Sequence, residues 1–473
     1  MKTIHSKHSK NNDRLPGFTP AMLTLLLILT SLLVAGCQAS AGSTPTPSKS
    51  ISSPSPTPTV PTSTPLPPTA TIPPPTATEP PPEPTTPPPT EEPVQADQTT
   101  QVISSVLIPP EPKQGSPSGT ATTVISVRVG PALNYPVYGL LLEGQVVELT
   151  GASEDGEWWS VYLPGFPLDQ GWTYAPYVQA ANADGLPTIQ PPPLPPTLVF
   201  SQPSSDDPFV RFRETVYARS GPGLEYPVYG VIQQGDSARA VHKTEDGEWW
   251  QVVVYSNLVP TKLAWVPDQF IEPRKGGAVG VGFPSPVPGN AELPAPAPEA
   301  HAGIPMAPVY LRGGPGLEYP ALGVAEESIP LTITGASPNL EWWQVQVPPS
   351  ISLDEQAWIS APFVFPTDVD GVPVVEPPPV PELVSPFEPG AGDPWVLPLD
   401  NIIAYDGPGN EYSALGMLPA NVKALVVGVS PDGAWYIVRL PQSVSPNGQG
   451  WVDIAYVTAF LQRGVPVIEP PAK

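Results

Sequence analysis

One pattern recurs four times in this chain at a nearly constant interval, and any fold must accommodate it. The copies open with VISVRVGPALNYPVYG (124–139), TVYARSGPGLEYPVYG (215–230), PVYLRGGPGLEYPALG (308–323) and NIIAYDGPGNEYSALG (401–416). Their glycines, Gly130, Gly221, Gly314 and Gly407, stand 91, 93 and 93 residues apart. Tyr135, Tyr226, Tyr319 and Tyr412 follow five residues after each glycine, and Trp158, Trp249, Trp342 and Trp435 follow 28 residues after it. A second tryptophan, Trp172, Trp265, Trp358 or Trp451, closes each copy. Such a register describes one small unit used four times, which makes the chain a tandem array and not a single large core.

Within a copy, short β-branched runs such as QVVELTG, WWQVVVY and ALVVGVS alternate with Gly, Pro and Asp turns, and no amphipathic helical period of useful length occurs. The pattern predicts four small all-β domains at 121–182, 208–273, 303–367 and 396–465. Between them the text turns proline-rich, as in PTIQPPPLPPT and SPVPGNAELPAPAPEAHAGIP, which reads as linkers. Such segments account for much of the chain's 77 prolines. Two of them, PPPLPP (191–196) and EPPPVP (376–381), have the composition of polyproline II ligands and are candidates for self-association.

Strand alternation sorts the residues around the Trp pair. Trp159, Val161 and Leu163 share one side with their counterparts Trp250, Val252, Val254, Trp343, Val345, Val347, Tyr436, Val438 and Leu440, and this side is the predicted core. The other side begins with Trp158, Trp249, Trp342 or Trp435 and continues with Ser160, Gln251, Gln344 or Ile437. A large aromatic on a mostly wettable face suggests a recognition platform; packing against a turn is the competing explanation. Glu154, Asp155, Glu245 and Asp246 form carboxylate pairs of the kind used in glycoside hydrolysis. Copies three and four carry SPNLEWW and SPDGAWY instead, so hairpin formation accounts for these acids better than chemistry.

The N-terminus has a signal-peptide layout: Lys2, Lys7, Lys10 and Arg14 precede an apolar run from Met22 to Val34. That run of 13 residues is shorter than the roughly 20 needed to span a bilayer. Val34-Ala35-Gly36-Cys37 follows, and it resembles the bacterial lipobox. The resemblance implies cleavage after residue 36 and a diacylglycerol on Cys37, the only cysteine, with an extracytoplasmic chain held at the cell membrane or the outer membrane. Residues 37–120 then form a Pro/Thr/Ser-rich stalk; 20 prolines fall among the 53 residues from Ala41 to Pro93. In polyproline II form, at about 3.1 Å per residue, it extends up to roughly 150 Å.

An Arg-x-Gly-Pro-Gly opening at Arg219 to Gly223, EDGEWW turns at 154–159 and 245–250, and a closing Trp with an aromatic beyond it together resemble the bacterial SH3-like (SH3b) domain. The resemblance covers all four units. It implies partly open barrels of five or six strands that bind cell-wall peptides or proteins without catalysis. It also implies a ligand groove lined by the first Trp of each pair and an opening-loop aromatic: Trp158 with Tyr135, Trp249 with Tyr226, Trp342 with Tyr319, and Trp435 with Tyr412. Arg128, Arg219 and Arg312 stand ahead of Gly-Pro in three copies, whereas the fourth has Tyr405.

Charge and inventory narrow the function further. With 20 basic against 44 acidic residues the net charge is −24, which repels nucleic acid and anionic head groups and leaves the lipid as the membrane contact. One Cys and four His leave no basis for a metal or other cofactor. The leading expectation is a non-catalytic envelope lipoprotein whose partner is peptidoglycan or a wall-associated protein. A structural adhesin or scaffold, and a recruiter of a wall hydrolase, are the alternatives. Oligomeric state is not encoded in these features.

Overall fold

The computed structural model describes residues 106–275, 279–282, 286–461 and 464–472. The signal peptide, Cys37 and the stalk up to residue 105 lie outside the described residues. The described residues are all-β, with four antiparallel sheets of a common seven-strand path.

In copy one the strands are β1 (Ser118–Ala121), β2 (Ile125–Arg128), β3 (Val137–Leu141), β4 (Val146–Ala152), β5 (Trp158–Tyr162), β6 (Gln170–Tyr174) and β7 (Val178–Ala181). They pair in the order β3-β2-β6-β5-β4-β1-β7. The same order recurs over 209–274, 302–368 and 395–460. A two-residue strand, Gly280–Val281, adds in parallel to the second sheet.

The Trp-pair strand is central in each sheet, between β4 and β6 or their counterparts. Val161, Val252, Val345 and Val438 are fully buried, as alternation predicted. The opposite side of that strand is buried as well. Ser160 and Ile437 are inaccessible, and Trp158 and Trp249 retain only 6% and 4% of their surface. The expectation of a wettable face fails because a buried closing tryptophan stands beside these residues on the same side of the sheet: Ser160 is in register with Trp172 and Gln251 with Trp265. Those closing tryptophans are among the largest fully buried side chains in the chain.

The hairpin before the Trp pair is built alike each time. Ser153 Oγ donates to Asp155 Oδ1 (2.5 Å), the Trp158 N–H donates to Ser153 Oγ (3.0 Å), and the Glu157 N–H donates to Asp155 Oδ1 (2.9 Å). Thr244 with Asp246, Ser337 with Asn339 and Ser430 with Asp432 repeat the arrangement. Asn339 serves as well as an aspartate, so these acids close a turn.

The proline-rich segments between the sheets are paired to them. Thr188 forms a parallel bridge with Ala152 of the sheet behind, and Thr197 forms one with Val231 of the sheet ahead. Val374 with Ala336 and Leu383 with Met417 do the same between copies three and four, while Val106 pairs Leu140 and Val467 pairs Val429. Proline lacks a donor but keeps its carbonyl. The Ala152 N–H donates to Pro187 O (3.0 Å) and the Ile189 N–H returns to Ala152 O (2.9 Å). The same exchange joins Pro373 and Val375 to Ala336, and Pro466 and Ile468 to Val429. A β-bulge at Gly151 admits the segment: a Cβ there would meet the Ile189 side chain at 2.3 Å. These segments act as straps.

Candidate ligand-binding clefts at the repeat junctions

Three clefts each contain the first tryptophan of a pair, and each is completed by a neighbouring copy. In copy one, Trp158, Tyr174, Tyr177 and Arg128 face Glu214 and Gln234 of copy two across about 480 Å³. The Trp158 and Tyr174 rings lie 5.3 Å apart. In copy four, Trp435, Tyr405, Asp453 and Tyr456 face Leu322 and Ile351 of copy three across about 230 Å³. The copy-two cleft, about 290 Å³, joins Trp249 and Arg219 with Tyr138 of copy one and Glu327 of copy three. Trp342 and Trp435 are half-buried, unlike Trp158 and Trp249.

The four opening-loop tyrosines serve a different surface. Each ring lies over its Gly-Pro glycine; a Cβ on Gly130 would come within 2.5 Å of the Tyr135 ring, and one on Gly314 within 2.2 Å of Tyr319. The hydroxyls reach the straps. Tyr135 donates to Pro192 O (2.7 Å), Tyr319 to Pro378 O (2.6 Å) and Tyr412 to Pro471 O (3.4 Å). Burial against the strap pushes the Tyr135 hydroxyl pKa up. The structure therefore places Tyr135 and Tyr319 on PPPLPP and EPPPVP, and it gives Trp158 and Trp435 other ring neighbours, Tyr174 and Tyr405.

The arginine ahead of Gly-Pro first holds its own loop, then reaches into the next copy. Arg128 Nη1 donates to Tyr135 O (3.1 Å), Arg219 Nη1 to Tyr226 O (2.9 Å) and Arg312 Nη1 to Tyr319 O (3.1 Å). Arg128 Nη2 then meets Glu214 Oε2 at 2.5 Å, and Arg312 makes a bidentate pair with Asp400 at 2.9 and 2.7 Å. Glu214 and Asp400 are equivalent positions, each five residues before the next copy's Arg219 or Tyr405. Copy three has Ala307 at that position, and Glu327 faces Arg219 instead.

Backbone contacts repeat with them. Val137, Val228 and Ala321 donate to the carbonyls of Thr215, Pro308 and Asn401, each one copy further on, at 2.9, 2.9 and 2.8 Å. Thr215 Oγ1 donates to Leu133 O (2.7 Å), and Asn401 Nδ2 donates to Leu317 O (2.9 Å). The outer positions are uncharged: Thr123 stands where Glu214 does, and Tyr405 where Arg312 does. Apolar clusters follow the same seams, one running from copy two into copies three and four.

Two carboxyls in these clefts titrate high. Burial pushes Glu327 up while Arg219 pulls it back part of the way. Burial likewise raises Asp453, although it accepts the Ala455 N–H at 2.8 Å. Burial together with the Asp453 charge lifts the Tyr405 hydroxyl to about 12.

Sequence reasoning missed the carboxylate partners and the backbone pairing of the straps. The strap had a readable signal: GLPTIQ (185–190), GVPVVE (371–376) and GVPVIE (464–469) recur at or just beyond the C-terminal ends of the units inferred from the Trp register. The acids had no local signal. No protein-family model matches the chain, and comparison with curated proteins finds no significant relative.

Proposed function

We propose that the chain is a non-catalytic, lipid-anchored protein of the cell envelope with four SH3-like units in tandem, whose aromatic clefts in copies one, two and four take up peptidoglycan stem peptides. One observation carries the reading: the first tryptophan of the pair lines an open cleft in copies one, two and four, although the rest of each lining differs. Cys37 supplies the anchor, the proline-rich stalk the reach, and tandem clefts the avidity that a repeating polymer rewards by about 10² to 10⁴.

The test is co-sedimentation of the soluble chain 38–473 with purified sacculi. Burial dictates the variants. Trp435→Ala removes a half-buried ring from the copy-four cleft, whereas Ala at Trp158 or Trp249 would open the core. Binding weakened in the Trp435 variant at unchanged Tm supports the reading. Absence of binding by the unaltered chain overturns it. A second reading, an extracytoplasmic scaffold with protein ligands, is favoured by the unlike linings: Arg128 with Glu214, Arg219 with Glu327, and Tyr405 with Asp453. It predicts that the chain captures envelope proteins and stays in solution when bare sacculi are sedimented.

A further inference from the structure

The copy-four cleft differs from its counterparts in the sign of its charge. Copy four departs from the other three at two equivalent positions. Tyr405 stands in place of Arg128, Arg219 and Arg312. The residue directly across the ladder from the first tryptophan is Tyr174, Pro267 or Ser360 in copies one to three, and Asp453 in copy four. One exchange removes a cation, the other brings in an anion, and both fall on the same cleft.

Trp435 and Tyr405 meet edge to face, with ring centroids 6.2 Å apart and planes at 84°. Directly opposed cross-strand residues share one side of a sheet, with Cβ atoms about 4.5–5.5 Å apart, so Asp453 stands beside Trp435. Trp435, Tyr405 and Asp453 are all half-buried, and each keeps surface open to a ligand. Asp453 Oδ1 accepts the Ala455 N–H at 2.8 Å. No cation moderates this carboxyl: burial and that N–H are what shift it, whereas Glu327 of the copy-two cleft feels Arg219. Glu411 adds a second acid to the lining, which contains no Lys, Arg or His. A cation is the complement to such a wall. An ammonium over aromatic faces gains about 0.5–2 kcal/mol, and a carboxylate beside it supplies a charge-assisted acceptor. The volume of about 230 Å³ is below the roughly 300–1,000 Å³ of sites for drug-sized ligands, so it suits a single side chain.

We propose that the copy-four cleft binds the primary ammonium of a lysine-type side chain. The methylene stem lies along Leu322, Ile351 and Ile403, and the head lies against the Trp435 and Tyr405 rings and donates to Asp453. The inference rests on the reading above for the source of the amine, a stem peptide. The two fail separately, because the amine is tested as a free small molecule and the sacculus by sedimentation.

The experiment is a ligand-observed NMR titration of the full chain with the N-acetyl methylamides of lysine, norleucine and glutamate, which differ at the end of the side chain. The lysine compound is expected to bind saturably and at least about tenfold more tightly than the norleucine compound, and the glutamate compound not at all. Asp453→Asn keeps an oxygen for the Ala455 N–H and loses the charge, and it is expected to weaken lysine binding about five- to tenfold at unchanged Tm. Tyr405→Arg restores the residue of the other three copies and sets a guanidinium beside Asp453, and it is expected to abolish lysine binding. Overturning results are the absence of saturable lysine binding, equal binding of the norleucine or glutamate compound, or lysine binding unaffected by Tyr405→Arg. Sacculus binding without lysine binding overturns this inference alone. Lysine binding without sacculus binding supports the ammonium site and overturns the stem peptide as its source.

Discussion

The junction of copies three and four and the junction of copies two and three hold neighbouring sheets with the same backbone contact but with acids in different places. At the first, Asp400 stands directly before the opening strand of copy four and pairs with Arg312 through two short bonds. At the second, that position is Ala307, and the charge comes from Glu327 in a turn further along copy three. The consequence is visible in the arginines. Burial alone would lower Arg312, yet Asp400 and its hydrogen bonds more than offset it, and Arg312 ends above its ordinary value. Arg219 is lowered by burial, and Glu327 only partly offsets this. A buried guanidinium at a seam is met by an opposing charge, while the position supplying that charge moves from one seam to the next.

The largest expected effect comes from breaking the tighter pair. Asp400→Ala leaves the Arg312 guanidinium, 2% exposed, without a counter-charge, and a loss of about 3–5 kcal/mol is expected in urea unfolding. Replacing both partners, as Arg312→Met with Asp400→Leu, should recover most of it. A loss below about 1 kcal/mol for Asp400→Ala would show that the seam does not depend on the pair.

Next in size is the strap, which tests whether the seams alone hold the array. Gly151→Val places a side chain where Ile189 and Pro187 O approach within 2.3 and 2.7 Å of the new Cβ. A cost of about 1–3 kcal/mol is expected. Hydrogen exchange at the Ile189 amide, which donates to Ala152 O, should accelerate more than at Val161; equal acceleration would mean that the strap and sheet open together.

Tyr319→Phe removes the hydroxyl bound to Pro378 O and is expected to cost about 0.5–1.5 kcal/mol. Tyr319→Phe should also loosen the EPPPVP strap without altering the Arg312 seam. Unchanged exchange in that strap would disprove the tie.

The smallest effect is a pH trend at the looser junction. Because the Glu327 carboxyl is raised in the folded chain, the native state holds the proton more tightly than the unfolded one. Its contribution to stability is therefore greatest at low pH and declines as pH rises above the unfolded value of about 4.3. Glu327→Gln should gain on the unaltered chain between pH 4 and pH 7, as read from paired urea midpoints. A gain in the opposite direction would mean that attraction to Arg219 outweighs the burial.

Much of the fold was legible because it rests on local rules. Alternation around the Trp pair placed Val161, Val252, Val345 and Val438 in the core, and Asp155 and Asp432 read as turn residues beside a glycine. The outer side of the same strand was misread, because alternation marks two faces without saying which neighbours stand beside a polar residue. Ser160 has the buried Trp172 as its cross-strand neighbour. The constant spacing of 91, 93 and 93 residues held a further clue: a segment paired at both ends cannot vary in length, whereas a free linker can.

By itself the sequence determined a fourfold β unit, its turns, the places of its closing tryptophans and an acidic, proline-rich chain with one cysteine. Only the tertiary structure decided which acid meets which arginine, that Tyr135 and Tyr319 serve the straps, and that the tryptophan clefts are shared between copies. The reason is range. Turns and strand faces follow from neighbours a few residues away, while Arg128 and Glu214, 86 residues apart in the chain, meet only once whole sheets have packed.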